Sequence, residues 1–255
     1  MFMNVFFTGG LNIFMKNDER AEVFTMNLTH YLSTCGAASR RRSAELIKNG
    51  GVKVNGTPVT EPGFKVNEKD IVTLDGTELR IGKRYYLMLN KPRGYICTSD
   101  DPYAPKKAID LIGLENVRLF SVGRLDKESE GMLIFTNDGD YAAKLTGPAY
   151  GIEKIYIAVT DKPLSSEMIE TLQNGILDDG ENLFAAAIEE LAPKKYRFTM
   201  KEGKKREIRR LLKYANVKTV TLKRIATGKL SIGDLVPGKW RYLSDEDIRQ
   251  SLDNN

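Results

Sequence analysis

The chain has 255 residues, 41% of them hydrophobic and 29% charged, which suits one large globular domain or a large and a small one. Its net charge of +5 permits nucleic-acid binding without establishing it, because the clustering of charge matters more than the total. Two distant cysteines and a single histidine, His30, do not supply a usual zinc site, and we expect no metal. This cysteine usage is typical of a reducing cytosol, so the sequence predicts a cytoplasmic protein.

Residues 1–25 differ in composition from the rest of the chain. Residues 1–15 carry no charge, and they lack the basic region and small-residue cleavage site of a secretory signal. Their apolar run is too short and too broken to cross a bilayer, which argues against membrane association. We expect residues 1–25 to form a flexible N-terminal extension.

Residues 26–80 predict a small module of two helices and two hairpins. Asn27 and Ser39 are suitable N-caps for the two helices. Asn55-Gly56 fits a type I′ turn within 52–59, and a second hairpin follows at 71–79.

Three arginines, Arg40, Arg41 and Arg42, fall in the first turn of the second helix. Cations are unfavourable at a helix N-terminus, but a ligand phosphate would be attracted by the arginines and by the free N–H groups. We favour RNA contact there, and at Lys53, over a solvated basic turn. Residues 27–79 resemble the S4 RNA-binding domain through the runs ASRRRSAELI and VKVNG.

The rest of the chain, residues 84–250, predicts one larger domain after a hinge at 80–84. Residues 85–90 form an apolar strand that ends before Pro92 and Gly94. Strands and helices then alternate irregularly, so we expect an α+β fold with a mixed, largely antiparallel sheet. The chain has no Gly-x-Gly-x-x-Gly and no P-loop, which gives a dinucleotide or nucleotide-triphosphate enzyme little support.

The run SVGRLDKESEGMLIFTNDG at 121–139 places Asp126 in a polar loop between two short apolar runs. A carboxylate there would be held by two strands and still reach a ligand, and Arg124 and Lys127 would attract a polyanion. Taken alone, Asp126 would fit a solvated hairpin loop equally well.

Residues 154–159 predict a strand with period two. Ile155, Ile157 and Val159 would face the core, and Tyr156 would face the more polar side together with Ala158. Tyr156 could stack on a base or accept a proton there, although a tyrosine packed across the sheet is the favoured reading of this strand alone.

Residues 201–215 predict an amphipathic helix from about Arg206, with Ile208, Leu211, Leu212 and Ala215 on its apolar face. The basic residues opposite are expected to contact RNA; they are Lys204, Lys205, Arg206 and Arg210. Arg209 adjoins the apolar edge, where it could reach inward to a carboxylate such as Asp126.

Together these three runs resemble the motifs of pseudouridine synthases of the RsuA/RluB/RluE/RluF type. The resemblance covers about 27–248 and implies that Asp126 acts as the essential carboxylate, with Tyr156 and Arg209 beside it. It also implies RNA contacts at Asn90, Lys91 and Arg93. Glu207 stands where the family usually has glutamine, which would add a negative charge near RNA.

The resemblance implies isomerisation of a uridine in ribosomal RNA with no cofactor. We expect a monomer by default, because nothing in the sequence looks like an oligomer interface. It favours 23S over 16S ribosomal RNA, and it leaves open whether the Asp attacks the nucleotide or promotes elimination. A non-catalytic S4-type RNA-binding or assembly factor is an alternative, which the intact Asp126, Tyr156 and Arg209 argue against. A base deaminase would need zinc ligands that this sequence lacks.

Overall fold

The structure is a computed structural model that describes residues 25–98, 105–115 and 117–254. The predicted extension, apart from Thr25, lies outside the described residues. The helices are α1 (Leu28–Thr34), α2 (Arg40–Lys48), α3 (Gly139–Thr146), α4 (Ser166–Asn174), α5 (Glu207–Tyr214) and α6 (Asp245–Leu252). The strands are β1 (Thr25–Asn27), β2 (Val52–Val54), β3 (Thr57–Pro58), β4 (Lys65–Asn67), β5 (Val72–Leu74), β6 (Thr77–Glu78), β7 (Tyr86–Lys91), β8 (Phe120–Val122), β9 (Glu130–Thr136), β10 (Lys154–Thr160), β11 (Ile176–Asp178), β12 (Glu181–Leu183), β13 (Ala187–Ala192), β14 (Lys195–Met200), β15 (Thr219–Thr227), β16 (Leu230–Ser231) and β17 (Trp240–Tyr242).

The first part of the chain packs α1 and α2 with a four-stranded sheet of order β3-β2-β5-β6. Asn55 has φ 51° and Gly56 has φ 81°, so the first hairpin makes the predicted left-handed two-residue turn. Ser39 caps α2 as predicted, because its side chain accepts a hydrogen bond from the Arg42 N–H. Asn27 precedes α1 without a side-chain capping bond. This helix–helix–hairpin arrangement confirms the S4-like fold.

The second part of the chain is built on a nine-stranded sheet. Seven strands follow the order β13-β14-β10-β15-β9-β7-β17, while β8 pairs with β9 and β16 pairs with β15. All pairs are antiparallel except β15 with β9, where Arg224 lies opposite Gly131. The mixed, largely antiparallel sheet confirms the predicted α+β fold.

Both faces of this sheet are covered. On β9, Leu133 and Phe135 pack with the buried Ala108, Ile112 and Leu119, whereas Met132 and Ile134 pack with α3 and α6 on the opposite face. On the first face, α5 covers β10 and β14. Two core clusters lie on that face, one formed around α5, β10 and β14 and the other around β7 and β9. Tyr156 packs against both clusters, so it marks the line where they meet.

The predicted core face of β10 is wrong in part. Ala158, expected on the polar side, is fully buried, and Ile157 and Val159, expected in the core, are partly exposed. Only Ile155 is buried as predicted. A central strand that is covered on both faces has no alternation of apolar and polar residues, so its sequence does not show which side faces the core.

Candidate active site

Asp126 lies in the loop that joins β8 to β9, with its side chain 33% exposed. The loop is fixed on either side of it. Leu125 before it is buried, and its N–H donates to the Cys97 sulfur at 3.3 Å. The Ser129 N–H donates to the Asp126 carbonyl at 3.0 Å, which closes a tight turn. The carboxylate therefore projects from a backbone that has little freedom to move.

Lys91 holds the main chain of this loop from the protein interior. Its side chain is fully buried at the end of β7, and its ammonium donates to the carbonyls of Ser129 at 2.6 Å and Pro92 at 3.1 Å. Burial lowers the pKa of Lys91, while the nearby carboxylates, including that of Asp126, oppose this shift. A lysine here was not predicted to be structural, because its partner is 38 residues away in sequence.

The structure contradicts the predicted RNA contacts of Asn90 and Lys91. Asn90 is 1% exposed, and its amide donates to the Leu235 carbonyl at 2.6 Å. Both residues continue β7 into the core, where neither side chain can reach a ligand on the surface. The only sequence signal for this burial is the apolar run of Leu87–Leu89 that precedes them.

Arg209 reaches the Asp126 loop from α5. Its Nε is 3.7 Å from Oδ2 of Asp126, and its Nη2 donates to the Glu128 carbonyl at 3.1 Å and to Oγ of Ser129 at 3.2 Å. The Nε atom is buried and forms no hydrogen bond. Burial lowers the pKa of Arg209, and the nearby Arg206 lowers it further. The structure thus brings together two of the three predicted site residues.

The residue before α5 has an unusual backbone conformation that directs its side chain toward Asp126. Arg206 has φ 54°, in the left-handed region, and its Nη1 lies 4.0 Å from Oδ2 of Asp126. Glu207 is 5% exposed and accepts a hydrogen bond from the Lys204 N–H at 3.1 Å. Burial raises the pKa of Glu207. The Glu207 carboxyl is therefore buried at the helix terminus and is not exposed on the basic surface.

The predicted RNA contact of Arg210 is also contradicted. Its guanidinium donates to Asp178 and Glu181 of the β11–β12 hairpin, and its side chain is only 17% exposed. Lys204 donates to the Asn182 carbonyl of the same hairpin and pairs with Glu202. These bonds anchor the first turn of α5, from which Arg209 projects, to the rest of the domain.

Tyr156 sits in the middle of the sheet, opposite Phe198 of β14 and Arg224 of β15. It is half-buried and shares its face with α5. Sequence reasoning missed Arg224, which is 6% exposed and donates from Nε to the Met132 carbonyl at 2.7 Å. The only signal for it was an arginine within an apolar strand pattern.

The other predicted RNA contacts lie on the surface. Exposed side chains are those of Arg40, Arg41, Arg42, Lys53, Arg93, Arg124, Lys127, Lys205 and Arg206. Three of them lie within ion-pair distance of carboxylates, Arg42 of Glu45, Arg93 of Glu128 and Arg206 of Asp126.

The two parts of the chain touch where α1 and α2 meet the start of α3. His30 Nε2 is 3.5 Å from Oδ1 of Asp140, and Arg40 lies against Gly139. His30 is thus placed as a packing residue at this contact. No helix in the described ranges is long and apolar enough to cross a membrane. Nor do those ranges contain a group of three or more His, Cys, Asp or Glu side chains that could hold a metal ion.

Comparison with known proteins gives consistent matches along the chain. Residues 28–72 match the S4 domain model, and residues 85–214 match the RNA pseudouridylate synthase model. An uncharacterized RNA pseudouridine synthase of Aquifex aeolicus is 37% identical over 232 residues, which is 88% of this chain and 93% of that protein. Ribosomal large subunit pseudouridine synthase B of Bacillus subtilis is 34% identical over 229 residues, or 88% of this chain and 94% of that protein.

A solved structure agrees with these sequence matches. A crystal structure of a pseudouridylate synthase superimposes with a TM-score of 0.65 and 25% sequence identity, covering 89% of this chain and 99% of that one. Fold, motifs and relatives therefore point the same way. The chain belongs to the RsuA/RluB/RluE/RluF family of RNA pseudouridine synthases, isomerases in which an S4 domain accompanies the catalytic domain.

Proposed function

We propose that this enzyme converts a specific uridine of 23S ribosomal RNA to pseudouridine. The observation that carries the proposal is the partly exposed Asp126 carboxylate on a rigid loop, with Arg209 at 3.7 Å. The name of the Bacillus subtilis relative supports the large subunit as the source of the substrate. The S4 match and the exposed basic side chains support a structured RNA partner.

The division of labour follows the two parts of the chain. Residues 26–80 form an RNA-binding domain, and residues 84–250 form the catalytic domain. The exposed Arg40, Arg41 and Lys53 contact phosphates of the structured RNA. Arg124 and Lys127, which flank Asp126, contact phosphates next to the target nucleotide.

Asp126 starts the reaction at C1′ of the target uridine, either by attack on the sugar or by promoting elimination. The N1–C1′ bond breaks, the uracil turns within the site, and a C5–C1′ bond forms. The proton on C5 is lost and N1 gains one, so atoms and charge balance over the whole isomerisation. The target nucleotide must leave its stack for the carboxylate to reach C1′, which costs less in a loop or bulge than in a duplex.

Arg209 is a positioning residue in this scheme. Its hydrogen bonds to Glu128 and Ser129 fix the loop, and its charge stabilises the Asp126 carboxylate without a hydrogen bond from Nε. Tyr156 stacks on the flipped uracil and assists proton transfer at C5. Its half-buried ring at the junction of two core clusters is a rigid surface for a base.

Pseudouridine mapping by carbodiimide treatment and primer extension tests the proposal. Ribosomal RNA is compared from cells with the gene intact, deleted, or carrying Asp126→Ala. We expect one 23S uridine to stay unmodified in both altered strains. A lost site in 16S ribosomal RNA would contradict the large-subunit substrate. Modification that persists in Asp126→Ala but not in the deletion would refute the role of Asp126.

A further inference from the structure

Two buried or partly buried cations share one face of the sheet with Tyr156. β10 pairs with β14 without a register shift, so Lys154 and Tyr156 point to the same side. On β15 a register shift falls between the partners of Ile155 and Tyr156, and beyond it Arg224 lies opposite Tyr156 and Leu222 opposite Ala158, so Arg224 points to the same side as Tyr156. The charge of Arg224 is close enough to help burial lower the pKa of Lys154 to about 8. The side chains of Lys154, Tyr156 and Arg224 therefore form one cluster.

This cluster has positive charge and no counter-charge. Among the described residues, no carboxylate lies within ion-pair distance of Lys154 or Arg224. Buried charges in proteins are normally paired, because an unpaired one loses its hydration without compensation. Arg224 is only 6% exposed and uses Nε on a main-chain carbonyl. Two unpaired cations beside a proposed base-stacking tyrosine point to a negatively charged ligand.

The reaction itself generates such a ligand. When the N1–C1′ bond breaks, its electron pair stays on the uracil, and the negative charge spreads to O2 and O4. The charge disappears again when C5 bonds to C1′, the C5 proton leaves and N1 is protonated. Cations fixed before the reaction stabilise such a transient charge most effectively, because they need not reorganise.

We propose, on the basis of the function proposed above, that Lys154 and Arg224 bind the detached uracil and stabilise its negative charge through O2 and O4. A phosphate is the other anion that RNA offers. Arg224 is 6% exposed and lies opposite Tyr156, deeper than the exposed arginines and lysines that can meet the RNA backbone. A flat base that enters beside Tyr156 fits this depth better than a phosphate does.

The test compares two synthetic RNAs that span the uridine located by mapping, with uridine or 5-fluorouridine at that position. Fluorine stabilises the anion of the detached base, so the second RNA depends less on protein cations. Its C5 carries no proton to lose, so after the C5–C1′ bond forms the base takes up water across N1 and C6 instead, and consumption of the target nucleoside is the readout that both RNAs share. The full-length enzyme is assayed as wild type, Lys154→Met and Arg224→Gln under single-turnover conditions. Consumption of the target nucleoside is measured by liquid chromatography with mass spectrometry, because uridine and pseudouridine have the same mass and must be separated first. Lys154→Arg tests rescue, and Lys195→Met, at an exposed lysine of β14, is the matched control.

We expect Lys154→Met and Arg224→Gln to lower the single-turnover rate by about 10²-fold on the uridine RNA and by about 10-fold or less on the 5-fluorouridine RNA. The affinity of the enzyme for either RNA should not change. Lys154→Arg should regain most of the rate. Equal slowing on both RNAs, or a loss that appears in affinity, would mean that the cations bind phosphate and would overturn the inference. If wild type converts neither RNA, the proposed function itself fails, which is a distinct result.

Discussion

Gly131 lets β9 approach the backbone of Arg224 in β15 closely, and its replacement by alanine should strongly destabilise the fold. A Cβ at this position would lie 2.1 Å from the Arg224 carbonyl oxygen and 2.8 Å from its nitrogen. Gly131 also has φ +104°, which an L-residue rarely adopts. The backbone strain costs about 1–2 kcal/mol. Forcing the two strands apart costs about 1–3 kcal/mol more.

The sum of about 2–5 kcal/mol is a large part of the stability of a typical domain, about 5–15 kcal/mol. Urea denaturation of Gly131→Ala measures it directly. Gly123→Ala is the matched control, because Gly123 has φ +68° but its added Cβ would meet only Thr146 at an ordinary 3.7 Å. The control should lose only the backbone part, about 1 kcal/mol. Equal losses in the two variants would refute the steric argument.

Three further variants test separate parts of the structure. Arg209→Lys keeps a charge but loses the forked reach to the 126–129 loop, so kcat should fall about 10²-fold at an unchanged melting temperature; an unchanged kcat would show that charge alone suffices. The Arg241 guanidinium holds the pKa of Asp247 well below its usual range, so this carboxylate stabilises the fold above about pH 4 and stops doing so as the pH falls toward the lowered value. Asp247→Asn should therefore lower the free energy of unfolding by about 2 kcal/mol at pH 7, with a gap to wild type that narrows in acid. Burial lowers the pKa of Lys154 from 10.5 to about 8, so the charge destabilises the fold below that pH and the cost fades as the pH rises. Lys154→Met should raise the free energy of unfolding at pH 7 by about 1–3 kcal/mol, and a less stable variant would contradict this.

Local signals in the sequence predicted much of the fold. Asn55-Gly56 determined its turn because both residues adopt positive φ at little cost. The spacing of Ile208, Leu211 and Leu212 predicted α5 because those side chains pack along one side of a helix, and all three are buried. The Asp126 loop was likewise readable, since two apolar runs on either side became β8 and β9.

The errors fell where burial depends on distant parts of the chain. Lys91 resembles a surface lysine in sequence, but its carbonyl partner is on Ser129 in another strand connection. Arg210 lies on the outer side of a predicted basic stripe, yet a hairpin 29 to 32 residues earlier supplies its carboxylates. No local pattern encodes such partners, so a basic residue within a strand or helix could not be assigned to surface or interior.

The geometry around Asp126 separates it from the structural carboxylates of this protein. Asp247 receives two short hydrogen bonds from Arg241, at 2.6 and 2.9 Å, and its oxygens are occupied by that pair. Around Asp126 the nearest guanidinium nitrogens stay at 3.7 and 4.0 Å, and among the described residues no side chain donates to its carboxylate. Arg209 is kept at that distance because Glu128 and Ser129 accept its hydrogen bonds instead. The arginine can thus stabilise the charge while both oxygens stay available, which is the state that a carboxylate needs in order to act at C1′ of a nucleotide.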